Sequence, residues 1–566
     1  MQGRDRRAEI TTAHGVLATA LAALEGDRHA EAVREISSAV RAAADSLDRS
    51  IRVAVVGQIK RGKSTLVNAL LKRRLAATAQ LELTFNVNEF VYPAADAEQT
   101  TIVYRDGGRR TVSRAELAKL TLAERDRLDV LRGVDRIVFE VGNELLRQIT
   151  LVDTPGLGSV YGDSAATLTY LGISLSEEDA RILEVLGRQP EQVGADSEGE
   201  IGSADAVLYL FSRSRLHARD RDVVLRFLDS GAATADRGSP LRSLGVLSSC
   251  DLAWSKAIRS GAKPNEFDPL VDDAQPQIDG FLKREPEVRH LFHTILPVSG
   301  LLAEGALTLP APLFGALREL AQVEPGRLLR WLRDIGEFSR PDLPGSPISA
   351  ATARELARGL GAWGIYLACL YLRENVPEQE VRDRLLQRSG VPQLEEKIVR
   401  HFGDRADLIA LERALSLPER RIRDFIRACN LRGADHPQVL DRVAASLEQT
   451  RENQHAFAEL AVLRDLYYER LRLDEQSRHE LLCVIGERGT SVAARLGLPE
   501  DASTDQQLAV ALAAVEQWAR RSIDPAVDGA TQRAAGVIRK SYGDLAARLL
   551  DDSRSDSTYT GGNCVR

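Results

Sequence analysis

The spacing of apolar residues changes character along the chain. Residues 6–48 are rich in Ala, Leu, Glu and Arg. Val16, Leu17, Leu21 and Leu24 fall on one helical face, and Ile36, Val40 and Ala43 repeat the pattern after the break at Gly26 and Asp27. This predicts two helices. At Ile51 the pattern turns into a β-branched run, IRVAVVG, followed by a glycine-bearing loop and the helical stretch STLVNALL. Short apolar runs at 148–152, 206–211, 244–248 and 294–298 predict buried strands, and 86–92 and 101–105 predict strands near one edge. Long segments separate the buried strands, as in a doubly wound, mostly parallel α/β sheet. The polar segment 191–203 reads as a loop.

Beyond about residue 404 the pattern is almost entirely helical. It predicts a helix over 405–430, interrupted or kinked at Pro418, and a long helix over 436–473 with Phe457, Leu460, Leu463, Tyr467 and Leu471 as its stripe. Two more are predicted over 475–496 and 504–550, before a small, polar, disordered tail. The expected organisation is N-terminal helices (1–49), an α/β nucleotide-binding domain (50–404), a C-terminal helical bundle (405–551) and the tail (552–566). Neither helical flank is a convincing domain alone, so the two are expected to join in one all-α bundle.

Composition narrows the class. The 566 residues allow two or three domains, and 44% hydrophobic with 28% charged residues is ordinary for a folded, water-exposed protein. A net charge of −7 argues against a nucleic-acid partner. The five cysteines are never paired as CxxC, and the nine histidines are scattered, so neither a zinc site nor a disulfide framework is read. The N-terminus has no apolar signal core. Cys564 is third from the end, where a prenylation box needs the fourth place. The longest uncharged run, 359–372, is shorter than the about 20 residues of a membrane span. The expectation is a cytoplasmic chain that touches a membrane at most from one side.

The strongest chemical signal is Gly57-Gln58-Ile59-Lys60-Arg61-Gly62-Lys63-Ser64, a GxxxxGKS loop between a strand and a helix. Its glycines let backbone N–H groups turn toward phosphate oxygens, and the helix beginning near Lys63 adds its positive end. Lys63 is expected to reach the β- and γ-phosphates, Ser64 to ligate Mg²⁺, and Thr65 to complete the loop. Asp153-Thr154-Pro155-Gly156 follows another apolar strand. Asp153 is expected to hold Mg²⁺ through water and the Gly156 N–H to sense the γ-phosphate, with Gly156 and Gly158 as hinge of a switch segment. Thr84, twenty residues past Ser64, is the candidate to close over Mg²⁺ and hold the attacking water. Ser248-Ser249-Cys250-Asp251 ends a further strand. Asp251 suits two hydrogen bonds from a guanine edge, although Ser249 stands where GTPases carry a lysine. Pro297-Val298-Ser299-Gly300 closes another strand and offers backbone contacts to the base.

With these motifs in this order, the chain resembles a bacterial dynamin-like GTPase. The carrying residues are VAVVGQIKRGKSTLVNALL, LAATAQLELTFNVNEFVY, ITLVDTPGLGSV, SADAVLYLFSRS and LSSCDL. The resemblance implies GTP hydrolysis with Mg²⁺, N- and C-terminal helices joined in a bundle, homodimers or homo-oligomers formed through the GTPase faces, and activity at membranes. It also makes a second dynamin-like subunit an expected partner. Ile59 replaces the glutamine that helps position water in eukaryotic dynamins. Lys60 stands where the related atlastins and guanylate-binding proteins carry an arginine finger, so Lys60, or failing that Arg61, is the candidate cation for the transition state. Arg420, Arg421, Arg423 and Arg427 around Phe425 form a basic stretch that reads first as a solvated face of the bundle and, as the alternative, as a face that attracts anionic lipid. A soluble GTP-dependent switch that gates a protein partner is the alternative.

Overall fold

The computed structural model describes residues 2–25, 31–57, 62–75, 87–94, 98–113, 116–117, 133–154, 204–212, 242–286, 291–341, 343–403, 405–452, 455–467 and 469–559. They form two compact units, one from Met1–Ser50 with Arg400–Arg566 and one from Ile51–Val399. The chain opens with helices α1 (Gln2–Glu25) and α2 (Glu31–Ser46). Their buried residues recur every three or four positions: Ala13, Leu17, Ala20 and Leu24, then Val33, Ile36, Val40 and Ala43. Val16 and Leu21, expected on the same face of α1, are half-buried at its border.

The second unit is built on a sheet of nine strands among the described residues, in the order β4-β3-β5-β2-β6-β1-β7-β8-β9. The strands are β1 (Ile51–Gly57), β2 (Val87–Val91), β3 (Thr100–Tyr104), β4 (Arg109–Val112), β5 (Val134–Glu140), β6 (Ile149–Asp153), β7 (Ala206–Ser212), β8 (Ser243–Ser248) and β9 (Ile295–Pro297). From β6 to β9 all neighbours are parallel. β1, β6 and β8 are buried at every residue, as strands covered on both faces must be. The other edge is mixed: β2 runs antiparallel to β6 and parallel to β5, and β3 is antiparallel to both of its neighbours. β4 and β5 go beyond the expected strands. In β4, RRTV, only Val112 is buried, and in β5, VDRIVFE, the pair Asp135 and Arg136 interrupts the alternation, so neither shows a clean apolar period.

Four helices of this unit position the site: α3 (Lys63–Leu71), α4 (Leu252–Arg259), α5 (Gly300–Thr308) and α6 (Ala350–Arg373). α6 carries the uncharged run 359–372. Trp363, Tyr366 and Tyr371 on it are buried in a core shared with Phe281, Phe314 and Phe338, so this run is interior to the unit.

In the first unit, α2 packs on α7 (Ala406–Leu431), and α1 packs on α7 and on α8 (Gln438–Glu452). Pro418 lies inside α7 without ending it. The expected helix over 436–473 is instead α8 and α9 (His455–Tyr467), and Leu471 lies beyond the end of α9. Beyond α10 (Glu475–Val484), the expected helix over 504–550 is also two. α11 (Thr504–Ile523) starts with a capping box of Ser503 and Gln506, and α12 (Gly529–Tyr559) packs against it. The intervening residues turn at Asp524, whose carboxylate accepts from the Ala526 N–H. α12 continues through Tyr559, into the segment expected to be a disordered tail. Among the described residues no single helix is long and apolar enough to cross a membrane.

Candidate functional site

β1 delivers Gly57 as its last residue, paired with Leu210 of β7. α3 begins after Gly62, whose φ of 81° and ψ of 23° place it in the left-handed region that glycine enters without steric cost. No side chain caps α3, and its first turn carries no acidic residue. No residue of the helix's own first turn offsets its positive end, which suits an anion. Lys63 is buried and reaches back to donate to the Gly57 carbonyl oxygen from 3.2 Å. Thr65 is half-buried one residue beyond Ser64, and a Cβ at Gly300 of α5 would lie 3.6 Å from its methyl group.

The hydroxyl of Ser64 donates to Asp153 Oδ2 over 3.1 Å. Asp153 ends β6, opposite Val55 of β1 on one side and Asn88 of β2 on the other. Burial pushes its carboxyl up to about 6, against the pull of the Lys63 ammonium and the Ser64 hydroxyl. Its second oxygen, Oδ1, is buried with no hydrogen-bond partner. A buried carboxylate oxygen without a donor, beside a hydroxyl oxygen, is a hard-oxygen donor set that fits magnesium. A cation there would favour the charged carboxylate that burial opposes. Thr154 follows, anchored by its hydroxyl to the Val55 carbonyl at 2.8 Å.

Asp251 lies at the end of the β8 loop and is the N-cap residue of α4, yet its side chain makes no capping hydrogen bond. Its Oδ1 instead accepts from the Ser299 hydroxyl at 2.6 Å. Ser299 also caps α5 by accepting from the Leu302 N–H. Ser249, in the place of the usual lysine, has a φ of 58°. The structure thus brings Gly57, Gly62, Lys63, Ser64 and Asp153 to one end of the sheet, where open α/β sheets bind ligands. Asp251 lies beyond the end of β8 in the same parallel half. Lys60, Arg61, Thr84 and Gly156 lie outside the described residues.

Three residues not singled out from the sequence tie the P-loop helix down. Asn68 on α3 donates to Glu304 Oε1 of α5 at 3.3 Å and accepts from the Leu75 N–H at 2.8 Å. Arg74 Nε lies 3.0 Å from the same Glu304 oxygen. Burial raises the Glu304 carboxyl, with Arg74 and Asn68 opposing. A polar Asn inside the apolar run LVNALL was the only local sign of this network. Of the basic stretch on α7, Arg423 is paired with Glu419 at 2.9 Å and also with Glu448.

Residues 53–211 match the family model described as the Dynamin family. The chain is similar to the isoniazid-induced protein IniC of Mycobacterium tuberculosis, 29% identical over 505 residues that span 89% of this chain and 91% of the relative. It is also similar to Dynamin-like protein 2 of Campylobacter jejuni, 26% identical over 185 residues, 33% of this chain and 29% of that one. Among solved structures it is similar to an oligomerised bacterial dynamin pair described as sensing and tethering membranes, at 13% identity and a TM-score of 0.29, covering 99% of this chain and 79% of the other.

Proposed function

We propose, from the match of residues 53–211 to the Dynamin family model, that this chain is a dynamin-type GTP hydrolase whose GTP turnover drives association of copies of the chain through their GTPase units, at an anionic membrane surface. The observation that carries the catalytic part is the meeting of Ser64, Asp153 and Lys63 at the start of α3. Ser64 and Asp153 would hold magnesium, which when bound offsets charge on the β- and γ-phosphates. Lys63 leaves the Gly57 carbonyl for the phosphate oxygens, and the uncapped N-terminus of α3 adds its N–H groups. Asp251 accepts hydrogen bonds from the guanine edge. In this reading Thr84 holds the attacking water, Gly156 carries the switch that senses the γ-phosphate, and Lys60 or Arg61 offsets charge in the transition state once two GTPase units meet.

Self-association and a peripheral place at the inner face of the cell membrane are supported by the same match to the Dynamin family model. A second dynamin-like subunit fits the same reading. A soluble switch acting on a protein partner is the second reading. It is favoured by the Arg423 pairing with two carboxylates, which offsets charge that a lipid surface would otherwise use. GTP turnover measured against protein concentration, with and without anionic vesicles, separates them. Specific activity that rises with concentration and again with vesicles supports the first reading. Activity flat in concentration overturns association through the GTPase units, and activity that rises with concentration but ignores vesicles leaves the soluble switch.

A further inference from the structure

The long helix α6 breaks once. Gly361 has φ 66° and ψ 176°, a conformation essentially restricted to glycine. A Cβ at Gly361 would stand 3.5 Å from Asp251 Oδ2 and 3.4 Å from Leu301 Cδ2 on α5. Just before the break, α5 and α6 cross backbone to backbone, since a Cβ on Gly305 would lie 2.1 Å from the Gly359 carbonyl oxygen. Just after it, Tyr366 lies against Trp254 of α4 with ring centroids 4.9 Å apart, and its hydroxyl donates to Asn265. α6 therefore touches both elements that place Asp251: α4, whose N-cap is Asp251, and α5, whose N-cap Ser299 donates to Asp251.

We propose that the Gly361 break and the Tyr366–Trp254 stack set purine selectivity by seating Asp251 against the base. Gly361 and Tyr366 are positioning residues, and they act through Asp251 without touching nucleotide. The inference rests on the reading of Asp251 as the acceptor for guanine. Its logic is chemical. Guanine offers a carboxylate two donors, the ring N1–H and the 2-amino group. Hypoxanthine offers only N1–H, and adenine offers neither. A methyl group at Gly361 cannot hold φ 66° and ψ 176° cheaply, so the break must relax, and the atom nearest the new Cβ besides Leu301 is the Asp251 oxygen. Displacing Asp251 then costs GTP two bonds, ITP one and ATP none.

The test measures affinities of GTP, ITP, ATP and XTP for the full chain by displacement of a fluorescent GTP analogue. Gly361→Ala is expected to lower the GTP-over-ATP preference about ten- to hundred-fold, the worth of charged hydrogen bonds, with ITP falling less than GTP and ATP unchanged. Tyr366→Leu, which removes the stack, is expected to lower the same preference at least about five-fold, and Tyr366→Phe, which keeps the ring, to restore it. Asp251→Asn is the control for the underlying reading, since an amide donates where xanthine presents a 2-oxo group. If that variant keeps the preference for GTP over XTP, the assignment of Asp251 fails and the inference with it. If it switches to XTP while folded Gly361→Ala keeps the parent's ratios, only the inference fails. Should Gly361→Ala not fold, Tyr366→Leu decides: parental ratios overturn the inference and lowered ones support it.

Discussion

Ser64 Oγ donates to Asp153 Oδ2 across 3.1 Å, joining the first turn of α3 to the last residue of β6. Two elements far apart in sequence thus present their oxygens to one point. Groups that hold one ion act as a unit, so their losses do not add. Ser64→Ala and Asp153→Asn are each expected to lower GTP turnover at least about a hundred-fold, and the double variant to be no worse than the worse single one. Chelation of magnesium should abolish turnover in the parent. Steady-state rates against magnesium concentration check this, and additive losses would show that the two residues act apart.

Lys63 is buried and its ammonium donates to the Gly57 carbonyl, so it already lies beside the residue that ends β1. Lys63→Ala is expected to weaken GTP binding about a hundred-fold or more while the fold persists. Equilibrium binding of labelled GTP, with circular dichroism as the control for folding, checks it. Unchanged retention of nucleotide would sink the phosphate-binding assignment of the loop.

Lys60 is assigned a part only in the assembled state. Lys60→Ala is therefore expected to keep GTP affinity but lose the rise of specific activity with protein concentration. Turnover titrated from dilute to concentrated protein measures this. A variant with normal affinity and the full rise refutes the role for Lys60 and transfers it to Arg61.

Glu304 is buried between Asn68 and Arg74. Glu304→Gln keeps an acceptor for Asn68 and removes a charge that burial disfavours, so its stability should lie within about 1 kcal/mol of the parent. Glu304→Leu leaves Asn68 without its acceptor and should cost about 1–3 kcal/mol. Thermal melts of the two variants check the order, and equal losses would argue against the network.

At the start of α10, the Asp474 carboxylate accepts from the Ser477 N–H at 2.8 Å and pairs with Arg521 at 2.9 Å. The bond from the Ser477 backbone N–H, more than the pairing with Arg521, holds its carboxyl down to about 2. A carboxyl lowered in the folded state stabilises above its unfolded value, near pH 4, and loses that contribution as pH falls through about 2. Asp474→Ala should open the first turn of α10 by about 1 kcal/mol near neutral pH, and the gap should close toward pH 2. Hydrogen exchange of the Ser477 amide, corrected for its intrinsic pH dependence, reads this directly.

What the sequence reveals depends on how local the physics is. The strand–loop–helix around Gly57–Ser64 is legible because glycine, lysine and serine must stand at fixed offsets to surround a phosphate. The buried strands β1, β6, β7 and β8 are legible because both faces are covered, which forces unbroken apolar runs. β4 was not, because its exposed edge tolerates Arg109 and Arg110. Nor was the partnership of Asp251 with Ser299, or of Glu304 with Asn68 and Arg74. Each joins residues that only the fold brings together, and neither leaves a period or a motif. The break in α6 was hidden for a related reason: Gly359, Gly361 and Gly364 look alike in sequence, and only the backbone angles distinguish the one that interrupts the helix.

The bundle that α1 and α2 form with α7 and α8 bears on how the protein is born. The ribosome completes α2 at Ser46 but does not begin α7 until Ala406. At about 5–20 residues per second, the apolar stripe of Leu17, Leu24, Ile36 and Val40 waits on the order of tens of seconds for its cover. The sheet-bearing unit, Ile51–Val399, is complete before α7 begins, so it can close first, and until α7 and α8 emerge the apolar faces of α1 and α2 have only each other for cover.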